Sequence, residues 1–131
     1  MVQPISDPSD PEGITRRIAD LNDWLRHHIT SPGQNRVMMT RGIANVIGDV
    51  SIFRNFRKRA ELMRVIRDFE NAEEATSFSA RERDMGWFQF ESERCMWKID
   101  YYATDMLHGS EDPADPDRTV RVLTIMLLSE Y

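Results

Sequence analysis

The chain of 131 residues is 40% hydrophobic and 30% charged, with a formal net charge of -5 and a single cysteine. That length suits one domain with a core of its own, and Cys95 alone excludes both a disulfide framework and a zinc site built from cysteines. No apolar run approaches the roughly 20 residues that span a bilayer, and residues 1–11 lack the apolar stretch of a secretory signal, so a cytoplasmic protein away from the membrane is expected.

Residues 1–11, with Pro4, Pro8 and Pro11 among Ser and Asp, read as a flexible arm, and 12–131 as a single globular domain. A first helix is predicted from Ile14, Ile18, Leu21, Leu25 and Ile29, with Asp10 as its cap ahead of Pro11 and a stop at Ser31-Pro32-Gly33. His28 falls on that apolar stripe, seven residues after Leu21, and His27 lies near the helix end, four after Asp23. Residues 36–40 read as a strand. The segment 43–47, bracketed by Gly42 and Gly48, is too short to assign.

A second helix is predicted over 50–71, burying Phe53, Phe56, Ala60, Met63, Ile66 and Phe69 and exposing Arg57, Glu61, Arg64 and Asp68 as i,i+4 pairs. A polar connector with Glu73 and Glu74 follows. The period then changes to two: Phe88 and Phe90 oppose Trp87 and Gln89, and Cys95, Trp97, Ile99 and Tyr101 oppose Met96, Lys98, Asp100 and Tyr102. This is a hairpin turning near Ser92-Glu93. After an acidic loop at 108–117, the apolar run 120–128 fits a buried helix or a buried strand by periodicity, and the Asp115-Pro116-Asp117 start favours a helix. The order α, β, α, β, β, α predicts an α+β domain whose small, mainly antiparallel sheet of about three strands packs against about three helices.

Charge is unevenly spread: residues 1–67 hold 11 Lys and Arg against 7 Asp and Glu, and residues 68–131 hold 6 against 15. An acidic interaction surface is therefore expected from Glu73, Glu74, Asp100, Tyr102, Asp105, His108, Glu111 and Asp112. The same Asp/His cluster, around Asp100, Asp105 and His108, is the place for a small enzyme's acid–base chemistry, but it matches no metal-ligand spacing, and neither metal nor cofactor is predicted. Cys95 reads as a core residue, since a nucleophile needs a base beside it. Arg54, Arg57, Lys58 and Arg59 are the candidate contacts for nucleic-acid phosphates. Phosphate-binding loops, dinucleotide turns and nucleophile elbows are absent from the sequence.

Three stretches carry a family resemblance: Trp97-Lys98-Ile99-Asp100-Tyr101-Tyr102, Gly109-Ser110-Glu111-Asp112-Pro113-Ala114-Asp115-Pro116 and Arg121-Val122-Leu123-Thr124-Ile125-Met126-Leu127. With Ile18-Ala19-Asp20-Leu21-Asn22-Asp23 and Val37-Met38-Met39-Thr40-Arg41-Gly42, the chain resembles a domain-of-unknown-function family of short alphaproteobacterial proteins, often plasmid-encoded. The sequence departs from that pattern at Arg83, where the family has histidine, and in its more basic 54–59 stretch. The resemblance implies an accessory protein of a mobile genetic element. The expected function is a non-enzymatic interaction protein with a protein partner, for instance an inhibitor of host defence machinery such as a CRISPR complex. The alternatives are the small Asp/His enzyme and a nucleic-acid-binding accessory protein acting through 54–59.

Overall fold

A computed structural model describes residues 10–70 and 81–131. Helix α1 (Pro11–His27) opens on Asp10, whose carboxylate accepts the Gly13 amide at 3.0 Å, with Pro11 in the first turn where no donor is needed. Its buried side is Ile18, Ala19, Asn22, Leu25 and Arg26, and Ile29 continues the apolar line beyond its end. His28 does not join that side as its spacing suggests. It is exposed and stacks on Trp24 with 4.1 Å between ring centroids.

Strand β1 (Arg36–Met39) leads into a short helix, α2 (Arg41–Ile47), which the sequence alone does not assign. Thr40 caps it, Ile43 and Ile47 are buried, and Gly48 at φ 83 ends it in the left-handed region. Helix α3 (Phe53–Arg67) follows, shorter than the predicted 50–71 and rotated relative to expectation. Its buried side is Asn55, Leu62 and Ile66, while Phe53 is 72% and Phe56 51% exposed. The two phenylalanines are thus surface residues, not core. The outer ion pairs also differ: Arg64 meets Glu61 at 2.8 Å and Arg67 meets Asp68 at 2.9 Å, and the expected Arg57–Glu61 and Arg64–Asp68 pairs do not form.

Strands β2 (Met85–Phe90) and β3 (Glu93–Tyr102) make the predicted hairpin, with Phe90 opposite Glu93. Glu91 and Ser92 form its two-residue turn at φ 51 and 64, the paired left-handed conformation whose twist suits a tight hairpin. Residues 120–127 correct the helix expectation, because they form strand β4 (Val120–Leu127). It pairs antiparallel with β3 and parallel with β1, giving a four-stranded sheet of order β1-β4-β3-β2. A central strand is screened on both faces, so it is apolar throughout and loses its period. Asp115 caps no helix either; its carboxylate accepts the Asp117 amide at 2.9 Å and closes a turn. Over the described residues the fold is therefore α+β, with three α-helices and a mixed sheet that has one parallel pairing.

The helices bring Leu25, Ile29, Ile43, Ile47, Leu62 and Ile66 onto Phe90, Cys95, Trp97, Ile99, Leu123 and Ile125, which share one face of the sheet. Cys95 is 1% exposed, and burial pushes its thiol up, away from the thiolate a nucleophile needs. Arg26, only 3% exposed, ties α1 to the end of α3 by donating Nη1 to the carbonyls of Ile66 at 3.0 Å and Phe69 at 2.9 Å, and Nη2 to Asp23 at 3.1 Å. No described helix is long and apolar enough to cross a membrane.

Candidate functional site

The outward side of α3 combines apolar and cationic groups. At 100° per residue, Phe53, Phe56, Arg57, Ala60 and Arg64 fall within one arc, opposite the buried Leu62 and Ile66. Val50 (44% exposed) and Ile52 (51% exposed) extend the apolar part just before the helix. A shallow groove of about 870 Å³ runs along this side, lined by Phe53, Arg54, Arg57, Lys58, Arg64 and the acidic Glu61 and Glu91. Three of the four cations expected to contact phosphate, Arg54, Arg57 and Lys58, meet in this groove; Arg59 is exposed but does not line it.

The cations differ in freedom. Arg54 and Arg57 form no ion pair among the described residues. Lys58 donates to the Val46 carbonyl at 3.2 Å, which steers its ammonium towards α2. Arg64 is held by Glu61, whose carboxylate that contact keeps below its usual range. A groove with two uncommitted guanidiniums beside the exposed Phe53 ring can take up phosphates and a flat ring together.

The acidic candidates lie elsewhere. Asp105, His108 and Glu111 join Asp117 and Arg118 around a depression of about 350 Å³ in the loop between β3 and β4. Asp105 is occupied locally: Oδ1 accepts the Leu107 amide at 2.8 Å, and Oδ2 lies 3.0 Å from Nδ1 of His108. These contacts, the Leu107 amide first, hold Asp105 below the usual carboxylate range. Asp100 meets Lys98 at 2.5 Å on the sheet face turned away from the helices, which Tyr102 shares; Asp100 does not join the Asp105–His108 pair. Asp112 is half-buried, its amide donated to Ser110 at 3.1 Å. Glu73 and Glu74 lie outside the described residues. Among the described residues no group of three or more His, Cys, Asp or Glu side chains is placed to hold a metal ion.

Sequence reasoning missed a polar network between α1 and the sheet. Asn22, fully buried, donates Nδ2 to the Tyr101 hydroxyl at 2.8 Å and to the Glu82 carbonyl at 3.0 Å, and its Oδ1 accepts Nε of Arg121 at 2.7 Å. The Tyr101 hydroxyl in turn donates to the Glu82 carboxylate at 2.9 Å, and burial pushes Tyr101 far above its normal range. Arg83 sits at φ 55 and clasps Asp23 at 2.7 Å and Asp20 at 3.3 Å, a structural tie to α1. The one signal for such a network was polar residues on predicted inward faces: Asn22 beside Leu25, and Arg121 in an apolar run.

A family model described as a protein of unknown function (DUF3768) matches residues 39–130. Searches of curated proteins and of solved structures return no match.

Proposed function

We infer that this chain, which belongs to the DUF3768 family of proteins of unknown function, is a non-enzymatic binding protein whose outer α3 face contacts single-stranded nucleic acid. One observation carries the reading: the 72% exposed Phe53 and 51% exposed Phe56 share with Arg57 a helix face that no described element covers. Large exposed aromatic rings are costly in water and mark contact surfaces, and rings beside arginine suit stacked bases and their phosphates better than a duplex groove. The acidity of the whole chain does not oppose this, because the positive field is local to the groove. A nucleic-acid role also suits the accessory protein of a mobile element that the sequence resemblance implies.

The test is fluorescence anisotropy with a labelled single-stranded oligonucleotide at several salt concentrations. Affinity is expected to fall with salt, and Arg54→Ala with Arg57→Ala is expected to flatten the slope by about 0.7 for each phosphate no longer neutralised. Phe53→Ala is expected to weaken binding about tenfold with the slope unchanged, since a stacked base is worth roughly 1–3 kcal/mol. Absence of binding at low ionic strength would reject the assignment.

A second reading rests on the loop 103–118, where Leu107 is 80% exposed and the Glu111 side chain, 90% exposed, meets Arg118 only at 3.9 Å. There the chain would offer an acidic face to a basic groove of a protein partner, as an inhibitor of a host defence complex would. Charge reversal at Glu111 and Asp117 would abolish that contact and leave oligonucleotide binding unchanged.

A further inference from the structure

We propose that the cleft between α1, the turn at 32–35 and the loop at 113–118 binds a small organic monocarboxylate, with Arg121 as its anchor. The cleft encloses about 360 Å³, and Leu21, Trp24, Pro32 and Pro116 supply apolar walls. Gln34, Asn35 and Arg121 are its polar lining, and Arg121 is the charged member.

Arg121 is 2% exposed, yet no carboxylate among the described residues lies within ion-pair distance of it. Its Nε donates to Asn22, its Nη2 to the Pro113 carbonyl, and its guanidinium lies 5.2 Å from the centre of the Tyr101 ring. Nη1 makes no hydrogen bond among the described residues, and it is not one of the sealed orphan atoms, which are on Arg26, Asp84 and Trp97. Arg121 is the charged residue lining the cleft, and Nη1 is the guanidinium nitrogen left to meet a ligand there. A buried cation served by neutral acceptors alone carries a desolvation cost that an anion would offset. That cost is visible in the guanidinium, which burial lowers to about 10 despite the nearby Glu82, with Arg17 adding repulsion.

The neighbouring amides narrow the ligand further. Asn35 Oδ1 accepts the Arg121 backbone amide at 2.9 Å, so the amide is oriented and its Nδ2 is left to donate. Gln34 spends Nε2 on the carbonyls of Pro116 and Thr119, leaving Oε1 as an acceptor. One guanidinium nitrogen, Nη1, and one amide donor match the two oxygens of a carboxylate. With one cation in the lining, a single negative charge is matched, and an apolar body would rest on Trp24 and the prolines.

Benzoate is the probe, titrated into the full chain with the Asn35 side-chain amide followed by NMR. A saturable shift is expected, about tenfold weaker in Trp24→Ala, whose exposed ring can be removed without touching the core, and lost in Arg121→Gln. Benzyl alcohol, which keeps the ring and lacks the charge, and inorganic phosphate, which lacks the apolar body, should each bind at least about tenfold more weakly. No shift with benzoate, equal binding of benzyl alcohol or phosphate, or unchanged affinity in Trp24→Ala would overturn the proposal; should Arg121→Gln fail to fold, the Trp24→Ala and benzyl alcohol arms still decide it.

Discussion

Phe53 and Asp84 are each at odds with their surroundings, in opposite ways. Phe53 is an apolar ring in water, so replacing it with serine should cost no more than about 0.5 kcal/mol in urea unfolding, as for other surface positions. A core ring would cost about 3–5 kcal/mol, so the same measurement separates the two placements. Asp84 is a carboxylate taken out of water: its Oδ1 is buried with no donor among the described residues, and burial, reinforced by Glu82 and Asp100, pushes its pKa up to about 6 from 3.8. The folded protein therefore holds this proton more tightly than the unfolded chain does. Its contribution to stability falls as pH rises from about 4 to about 6 and stays low above that. Asp84→Asn should stabilise the protein at pH 8 by about 1–2 kcal/mol, a figure reduced for the partial exposure of the group. Thermal melts of the two proteins should converge towards pH 4.

Between elements, the contacts are made by few residues and are correspondingly sensitive. Arg26 closes the C-terminal end of α3 by donating to the carbonyls of Ile66 and Phe69, where a cation also complements the helix dipole. Arg26→Met would leave those carbonyls unmet and Asp23 short of a partner, a destabilisation of about 2–4 kcal/mol in denaturant unfolding. Gly86 lets β2 pass beneath two rings, since a Cβ there would lie 2.5 Å from Trp97 Nε1 and 2.6 Å from Phe69. Gly86→Ala should cost about 1–3 kcal/mol by overpacking, read as a lower Tm. The elements were unequally legible in the sequence. Cys95, Trp97, Ile99 and Tyr101 announce β3 because the opposite face keeps the polar Lys98 and Asp100 beside the buried Met96, so alternation survives. Val122, Leu123, Ile125 and Met126 are buried on alternate faces of a central strand, so their run carried no period, and Asp115-Pro116-Asp117 imitated a helix start. In α3, apolarity alone placed Phe53 inward, whereas Asn55 holds an inward position by donating to the Asp49 carbonyl at 3.0 Å. The groove cations could be picked out as a cluster, but not their division between free Arg54 and Arg57 and tethered Lys58. The Arg121 cleft had no local signature beyond a charge in an apolar run, because Asn35 and Arg121 meet only after folding.

Across the whole molecule the uneven charge of the sequence becomes two separate surfaces, a basic and aromatic groove on α3 and an acidic loop between β3 and β4. The C-terminal turn also clamps the other end of the sheet: Glu130 accepts from the Thr40 hydroxyl at 2.6 Å, the Leu127 amide at 2.8 Å and the Gly42 amide at 3.1 Å. These bonds hold its carboxyl below the usual range, the Thr40 contact first. Their stabilisation is complete above the unfolded pKa and is lost as pH falls through the folded one. Glu130→Gln should therefore lower stability most near pH 8 and flatten the acid limb of the curve, so that the two proteins converge at low pH, measured by urea unfolding at each pH. The parallel pairing of β1 with β4 has a further consequence for how the chain is made. Arg36 finds its partner Val122 only after 86 more residues have been synthesised. Until then the helices hold Leu25, Ile43, Leu62 and Ile66 ready for a sheet that still lacks β4. A nascent chain in that state is slow to close and prone to stick to its neighbours, so ribosome-bound intermediates should engage holding chaperones until β4 has emerged.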